Sequence, residues 1–317
     1  MKPKTALIFG ITGQDGSYLA SFLIKKKYKV SGIYRKKKFI NLKKLNLLKK
    51  IDLKLVKKNE EKKINQILKK NYDEIYFLSG QSSVARSFDK SVETYESQIQ
   101  PVKIILNYIT NQKNKKTKFL YSSSSEIFGN INNKKKINEK SKKKPISPYG
   151  LAKLIGYEIV KSYREMYKIP VCSAILFNHE SSLRQNNFIF KKILNNLQKI
   201  KRNNQLKLIV GNIEVKRDWG WAPEYMEACY KILASKKLTD YIIATEKTIK
   251  LKKVISLFFK NCGLDWKKHI IVNKKYYRSL EIKENYADTK KLRSNLKWKP
   301  KLSYLDVIKK LINKDIY

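Results

Sequence analysis

The chain has 317 residues, enough for one large or two modest domains with a buried core. A hydrophobic fraction of 42% and an aromatic fraction of 11% exclude a disordered chain, although 71 basic and 26 acidic residues give a formal net charge of +45. No apolar run approaches the roughly 18 residues of a membrane-spanning helix, so we expect no membrane partner.

The first half of the sequence alternates apolar runs with amphipathic stretches. Six strands are predicted, at residues 5–9, 29–34, 53–56, 74–78, 118–121 and 171–177. Helices are predicted among them at 17–27, 64–70, 95–110 and 149–167. This alternation indicates a parallel sheet with helices on both faces and right-handed crossovers. After Asn178 the pattern becomes irregular, which predicts a smaller, mixed α/β C-terminal part.

A glycine-rich turn follows the first predicted strand. Gly10, Gly13 and Gly16 permit a tight turn and a close approach of backbone to pyrophosphate, and the next helix offers free N–H groups. An ordinary strand–helix turn is the alternative, but the strand before and the helix after supply the required context. The sequence therefore predicts an α/β, Rossmann-type doubly wound parallel sheet that binds a dinucleotide.

The second predicted strand ends at Tyr34, Arg35 and Lys36. A site that prefers NAD usually has an acidic residue there for the ribose 2′-OH, whereas Arg favours a 2′-phosphate. The sequence therefore predicts NADP as the cofactor. A solvated basic loop is the alternative in so lysine-rich a chain.

The motif Tyr-x-x-x-Lys occurs four times, about the number that chance gives for 20 Tyr and 63 Lys in this length. The pairs are Tyr34/Lys38, Tyr149/Lys153, Tyr157/Lys161 and Tyr286/Lys290. Only Tyr149/Lys153 opens a predicted helix after the polar end of the fifth strand. A helical i, i+4 pair shares one face, so we expect the ammonium to lower the phenol's pKa from about 10. The phenol would then be a base for a substrate hydroxyl.

The fifth predicted strand runs into four serines, residues 122–125, and then Glu126. Ligands bind at the carboxyl ends of strands in an open sheet. A serine there can hydrogen-bond a reacting hydroxyl, and a carboxylate can remove and return protons. Simple loop polarity is the alternative explanation of the serine run.

These residues resemble a known family. The glycine pattern with Ser124, Tyr149 and Lys153 is similar to extended short-chain dehydrogenase/reductases, and Glu126 narrows the resemblance to nucleotide-sugar dehydratases. Further segments resemble the GDP-mannose 4,6-dehydratase family over nearly the whole chain. They are Ser79–Val84, Leu176–Ser181, Gly211–Asn212, Arg217–Gly220, Tyr277–Arg278 and Glu281.

The resemblance implies a reaction. In this family a tyrosine takes the 4-OH proton while hydride leaves C4 for NADP, a role that falls on Tyr149 with Lys153 and Ser124. Glu126 would remove the C5 proton and protonate the departing 6-OH, and the hydride would return to C6. The implied activity is that of a hydro-lyase converting GDP-D-mannose to GDP-4-keto-6-deoxy-D-mannose.

The resemblance also assigns binding residues, and it implies no metal ligand. Those expected at the cofactor are Gly10, Thr12, Gly13, Gln14, Asp15, Gly16, Arg35, Leu78, Gly80, Ser82, Tyr149, Lys153, His179 and Arg184. Those expected at the GDP-sugar are Ser83, Ser124, Glu126, Asn178, Lys192, Gly211, Arg217, Arg278 and Glu281. A structural role for His179 is a close alternative.

The domain and subunit organisation follow from the same comparison. Residues 1–177, with a return segment near 213–245, are expected to form the NADP-binding domain, and 178–317 mainly the substrate-binding domain. We expect a homodimer or homotetramer, in which helices near 95–112 and 149–167 pair between subunits.

The chain departs from the family pattern in several places. Lys57–Lys58 replace an Asp-Leu pair that meets adenine, which puts that contact in doubt. Ser124 replaces the family's catalytic Thr and keeps the hydroxyl. The loop at 180–185 has one Arg fewer, which could alter cofactor or subunit contacts. Ser125, unlike the Asp of deoxythymidine-linked glucose dehydratases, favours the GDP-mannose branch.

The remaining composition favours a plain interpretation. Lys is spread through the chain and outnumbers Arg 63 to eight, as A/T-rich codons would produce, so a solvated surface is favoured over a polyanion site. We expect no specific nucleic-acid partner. The widely spaced Cys172, Cys229 and Cys262 argue against a disulfide framework or zinc site, and the N-terminal residues do not resemble a signal peptide. We therefore expect a cytoplasmic protein.

Alternative functions stay open at this point. A GDP-manno-heptose dehydratase, or a reductase, epimerase or C4 oxidase of a GDP-sugar, would share the fold. A non-catalytic NADP- or polyanion-binding protein is the alternative of another class.

Overall fold

The computed structural model describes residues 2–57, 60–113, 116–131 and 135–317. Its strands are β1 (Thr5–Phe9), β2 (Lys29–Tyr34), β3 (Ile51–Leu55), β4 (Glu74–Phe77), β5 (Lys118–Ser124), β6 (Val171–Leu176), β7 (Asn178–Glu180), β8 (Leu208–Val210), β9 (Lys216–Trp221), β10 (Tyr241–Ile243), β11 (Thr248–Lys250) and β12 (Ile270–Val272). Its α-helices are α1 (Gln14–Lys25), α2 (Ile40–Lys44), α3 (Glu61–Leu68), α4 (Val84–Asp89), α5 (Ser91–Thr110), α6 (Pro148–Tyr167), α7 (Ile189–Arg202), α8 (Ala222–Ala234), α9 (Leu251–Lys260), α10 (Trp266–His269), α11 (Lys290–Leu296) and α12 (Tyr304–Ile312).

Seven parallel strands form the central sheet, in the order β10-β6-β5-β4-β1-β2-β3. The predicted doubly wound fold is confirmed. All six predicted strands are present, and β1 and β2 have the predicted ends. Buried parallel strands are continuous apolar runs in the sequence, which makes them recognisable. The seventh strand, β10, comes from the predicted return segment, which also contains α8 and β9.

Helices cover both faces of this sheet. Helices α1 and α8 pack together on one face, and α3, α5 and α6 pack on the other. Helix α1 begins at Gln14 rather than at the predicted Ser17. The early start was missed because the first turn contains Gly16, and glycine is a weak helix former.

The smaller part contains the three-stranded sheet β11-β9-β7 and the two-stranded sheet β12-β8. Helices α7, α9 and α12 bury a third core against it. Strand β7 begins directly after Phe177, so the chain passes from β6 of the large sheet into the small one. Asp218 on β9 accepts hydrogen bonds from the Thr245 N–H (3.0 Å) and hydroxyl (2.8 Å), just after β10, which ties the two sheets together.

Two further findings on the described residues concern membrane-spanning helices and cysteines. None of the helices that the structure describes is both long and apolar enough to cross a bilayer. The three cysteines are free, and Cys172 and Cys229 are buried.

Candidate active site

The site lies at the carboxyl edge of the large sheet, where β5 ends and α6 begins. Ser124 closes β5, and its hydroxyl accepts a hydrogen bond from the Glu126 N–H at 3.3 Å. Helix α6 starts at Pro148, with Ser147 capping the Gly150 N–H at 3.0 Å. The carboxyl ends of parallel strands meet at one edge, so the two segments face each other.

Ser124, Tyr149 and Lys153 are brought together as the sequence predicted. The Ser124 side chain acts on the Tyr149 phenol in the sense that lowers its pKa. The Lys153 ammonium lies 5.9 Å from the centre of the Tyr149 ring and donates to the Ser122 carbonyl oxygen at 2.7 Å. Their catalytic roles stay predictions.

The pKa values of this group differ from the sequence-based expectation. Burial among protein atoms raises the pKa of Tyr149 to about 12, despite the opposing effect of Ser124. Burial lowers the pKa of Lys153 to about 7. The expected lowering of the phenol's pKa by Lys153 is thus not found, because burial raises the pKa of the phenol and lowers that of the amine.

Charged groups of the small sheet complete this side of the site. Arg217 on β9 is buried, and its guanidinium donates to the Lys216 carbonyl oxygen at 2.8 Å. Burial and then the charge of Arg278 lower the pKa of Arg217, while Glu126 and Glu281 act in the opposite sense. Glu126 also raises the pKa of Tyr149. Glu126, Arg217 and the Arg278–Glu281 pair (3.7 Å) therefore share one electrostatic environment with the Tyr149 group.

Lys192 and Gly211 belong to a second cluster. The Lys192 ammonium donates to the Ile209 carbonyl oxygen at 3.0 Å and lies 5.8 Å from the centre of the Tyr276 ring. A Cβ on Gly211 would lie 2.4 Å from the Tyr276 carbonyl oxygen. Contacts within the described chain do not join this cluster to Tyr149. Asn178 pairs with Trp219 across β7 and β9, two residues from Arg217.

The glycine turn fits a dinucleotide. Gly10 has a φ of +83°, and a Cβ there would lie 2.6 Å from the Leu78 carbonyl oxygen, so β1 and β4 could not approach as they do with any other residue. A Cβ on Gly16 would lie 2.3 Å from the Gly10 carbonyl oxygen. Gly13 caps α1 without a side chain, which leaves the first-turn N–H groups for an anion.

Behind this turn lies a buried charged pair that spans the large and small sheets. The His179 Nε2 lies 3.0 and 3.1 Å from the two Asp15 carboxylate oxygens, and its Nδ1 lies 2.8 Å from the Phe177 carbonyl oxygen. Burial alone would raise the pKa of Asp15, but His179 outweighs it and holds that pKa well below its usual range. Burial alone would lower the pKa of His179, yet Asp15 raises it.

Neighbouring side chains extend that pair. The Ser181 hydroxyl donates to the Gln14 side-chain oxygen at 2.7 Å, and the Gln14 amide donates to the His179 carbonyl oxygen at 3.4 Å. The Arg184 guanidinium lies 3.5 Å from Glu180 and stacks on the Phe188 ring. Gln14, Asp15, His179 and Arg184 are therefore together, at the start of α1.

The other predicted cofactor residues are less constrained. The Thr12 carbonyl oxygen accepts from the Asn41 side chain at 3.3 Å. Ser83, which was predicted at the GDP-sugar, caps α4 with its hydroxyl. Gly80 has a φ of +110°. Arg35 and Ser82 are exposed, and within the described chain no contact joins them to the Tyr149 group. The adenine-side departure falls partly outside the described residues, because Lys58 is not among them.

Sequence reasoning missed two residues that support the site. The Ser87 hydroxyl accepts the Tyr149 N–H at 3.1 Å and donates to the Val84 carbonyl oxygen at 2.6 Å, which joins α4 to the start of α6. Burial raises the pKa of Asp218 to about 7, although Thr245 hydrogen bonds oppose the rise. Ser87 has no local sequence signal. Asp218 lies in the Arg217–Gly220 segment of the resemblance, but no role was predicted for it because its partner Thr245 is distant in the chain.

The arrangement suits proton transfer at two neighbouring positions of one ligand. A phenolate stabilised by an adjacent ammonium can take a hydroxyl proton, and the half-buried Glu126 can act on a second proton. Within the described residues, no group of three or more His, Cys, Asp or Glu side chains could hold a metal ion.

Comparisons with known proteins agree with this chemistry. The family model for GDP-mannose 4,6 dehydratase matches residues 7–311. The chain is 34% identical to GDP-mannose 4,6 dehydratase 1 of Arabidopsis thaliana, over 100% of this chain and 91% of that protein. It is 35% identical to GDP-mannose 4,6 dehydratase of Drosophila melanogaster, over 99% of this chain and 87% of that protein.

A solved structure supports the fold. The crystal structure of dTDP-glucose 4,6-dehydratase from Bacillus anthracis in complex with NAD superposes with a TM-score of 0.86 at 15% identity. The match covers 98% of this chain and 96% of that one.

The buried pair predicts a pH-dependent stability. The raised pKa of His179 means that its stabilisation is fully present below about pH 6.5 and is lost as pH rises through the folded-state pKa. The lowered pKa of Asp15 makes its share present above about pH 4 and lost as pH falls. We expect His179→Gln to lower the free energy of unfolding by about 1 kcal/mol more at about pH 5.5 than at about pH 9, measured by urea denaturation.

The chain's other histidine supplies the control. The His269 ring lies 3.2 Å from the Leu206 carbonyl oxygen and stacks on Phe259, so it faces no carboxylate in these contacts. His269→Gln measures the pH dependence of losing a histidine without such a carboxylate contact, and His179→Gln should show the larger difference between the two pH values. An equal loss at both pH values for His179→Gln would contradict the charged pair.

Proposed function

This chain belongs to the GDP-mannose 4,6-dehydratase family, and we propose that it converts GDP-D-mannose to GDP-4-keto-6-deoxy-D-mannose with NADP. The observation that carries the proposal is the shared environment of Glu126 and the Tyr149 phenol beside a dinucleotide turn. A dehydratase needs an acid/base beyond the hydroxyl base, because water elimination requires proton transfer at C5 and at the 6-OH.

A residue of this chain can be assigned to each proton transfer of the proposed reaction. Tyr149 would take the 4-OH proton, with Ser124 orienting that hydroxyl and Lys153 stabilising the phenolate. The nicotinamide of NADP, when bound, supplies hydride acceptance from C4 and hydride return to C6. Glu126 would remove the C5 proton, which a 4-keto group acidifies, and would deliver it to the departing 6-OH. When hydride returns to C6, the proton that Tyr149 took from the 4-OH would return to C5, directly or through solvent, which restores the phenolate. The elements of one water leave, and no net oxidation occurs.

The GDP end of the substrate is supported by two guanidinium groups. Arg217 is buried beside Arg278, and the two cations raise each other's energy. A diphosphate relieves that repulsion, and Arg forms paired N–H contacts with it. Asn178, Lys192, Gly211 and Glu281 would complete the GDP-sugar site, with Ser83 near the sugar.

The choice of NADP rests on the loop after β2. Arg35 stands where an acidic residue would contact a 2′-OH, and its side chain is exposed and so able to meet a 2′-phosphate. We further propose that residues 1–177, with the return segment, bind NADP and that 178–317 mainly bind the GDP-sugar. The free cysteines support the expected cytoplasmic location.

The outer face of α6 supports a homodimer or homotetramer. Leu151 is 41% exposed and Met166 is 69% exposed, and with Leu154, Ile155 and Ile159 they line one apolar groove. Pairing of α5 and α6 with a second copy would bury this groove.

Glu126→Gln separates dehydration from oxidation. The wild type should form a product lighter than GDP-mannose by one water, with no net NADPH, as followed by mass spectrometry and absorbance. The amide cannot take the C5 proton, so we expect at least a ~100-fold slower loss of water, with NADPH formed up to one per site.

Two further variants make this test specific. Tyr149→Phe should abolish NADPH formation as well as water loss. Glu227→Gln, at a carboxylate paired with Lys231 on α8, should keep wild-type activity. If the wild type accumulates NADPH and a product that retains its 6-OH, it is an oxidase and the dehydratase proposal is wrong.

Arg35→Ser tests the cofactor. Loss of the contact with a 2′-phosphate should raise the KM for NADP about tenfold while the KM for NAD stays the same. Arg202→Ser, on an exposed residue at the end of α7, is the matched control. An unchanged NADP-to-NAD preference in Arg35→Ser would show that another group selects the cofactor.

The oligomer is tested by charging the α6 groove. The double variant Leu151→Glu/Met166→Glu should have a smaller molar mass by light scattering than the wild type, because buried carboxylates disfavour the interface. Leu305→Glu, at an exposed position on α12, should not change the mass. A wild type with the 37.3 kDa mass of one chain would contradict the proposal.

A further inference from the structure

A buried tyrosine lies against the Lys153 ammonium, and the catalytic motif does not include it. Tyr121 on β5 is fully buried, and the Lys153 Nζ lies 5.1 Å from the centre of its ring. This distance is shorter than the 5.9 Å to the Tyr149 ring. A cation within about 6 Å of an aromatic face is attracted by the ring quadrupole, most strongly where water is excluded.

The packing around Tyr121 fixes this ring. Phe77 stacks on it at a centroid distance of 5.9 Å and an interplanar angle of 19°. On α6, a Cβ on Gly156 would lie 2.4 Å from the Tyr121 hydroxyl oxygen, so only glycine leaves room for it. Within the described residues that hydroxyl has no hydrogen-bond partner. The contact between Tyr121 and Lys153 is therefore made by the ring and not by the hydroxyl group.

The charged and titratable groups around Lys153 are few. Tyr149 shares its helix, Tyr121 faces it from β5, and Asp15 at the start of α1 acts on it through its charge. Glu126 and Arg184 affect the pKa of Tyr149. The one direct hydrogen bond among these contacts goes to the Ser122 carbonyl oxygen. Burial favours the neutral amine, so the charged form needs another source of stabilisation.

We propose that Tyr121 is a positioning residue whose ring face keeps Lys153 charged beneath the Tyr149 phenol. The inference rests on the proposed function, since a charged Lys153 is what stabilises the phenolate in that reaction. Tyr121 itself touches neither substrate nor cofactor in this account. It acts through Lys153 alone.

The free protein supplies the test. In protein labelled with 13C at lysine Cε, the Lys153 signal should titrate near pH 7, well below the usual lysine value of about 10.4. The signal is assigned by its loss in Lys153→Met. Tyr121→Leu removes the ring, and we expect the Lys153 midpoint to move down by about one pH unit. Tyr121→Phe keeps the ring and should leave the midpoint unchanged.

A second variant guards against a packing artefact. Tyr121→Leu leaves a space beside Gly156 that could admit water or destabilise the fold. Tyr121→Leu/Gly156→Ala fills part of that space with a methyl group and should show the same downward shift. Gly156→Ala alone should be destabilised in thermal unfolding, because its methyl group would collide with the Tyr121 hydroxyl.

Activity gives a second readout. A less charged Lys153 stabilises the phenolate less, so the acid limb of kcat/KM for GDP-mannose should move to higher pH in the leucine variants, with kcat down about tenfold at neutral pH and KM little changed. An unchanged or raised Lys153 midpoint in both leucine variants overturns the inference. So does a phenylalanine variant that shifts as far as the leucine variants. Because the titration needs no substrate, its result is independent of whether the wild type removes water.

Discussion

The proposed chemistry depends on an amine that is held out of water. Lys153 is buried between α6 and β5, with one carbonyl oxygen as its hydrogen-bond acceptor. Desolvation brings its pKa near 7, so its charge at neutral pH is governed by small contributions from neighbouring groups. The same burial raises the pKa of Tyr149. The free site therefore holds a neutral phenol beside an amine that is poised between its two forms, and bound ligands act on that balance.

A second constraint is that the glycine turn and the proposed substrate-binding strands β7 and β9 belong to different sheets. The Asp15–His179 pair joins the start of α1 to β7, and Asp218 joins β9 to the segment after β10. Both links place a carboxylate on several donors in a buried position, where an unpaired partner is costly. These two links connect the sheet that contains Arg217 to the glycine turn and to the large sheet.

The sequence predicted the large sheet better than the details of the site. Strands β1 and β2 could be bounded correctly because continuous apolar runs mark buried parallel strands, and the glycine turn and Tyr149/Lys153 were found by their position after strands. The pKa of Tyr149 was expected in the wrong direction, since the extent of burial is not visible in the sequence. Ser87, Asp218 and Tyr121 were missed because their partners lie far away along the chain.

Lysine and arginine residues occupy different kinds of position in this structure. Lys outnumbers Arg 63 to eight, yet Arg occupies the enclosed positions that need a planar, multiple donor. Arg164 forms two hydrogen bonds with Asp240, at 2.7 and 2.6 Å, Arg184 stacks on Phe188, and Arg217 is buried beside Glu126. A lysine offers a point charge that is more costly to dehydrate and cannot make the paired contact. Geometry therefore holds these three arginines in place, whereas Arg35 and Arg202 are exposed.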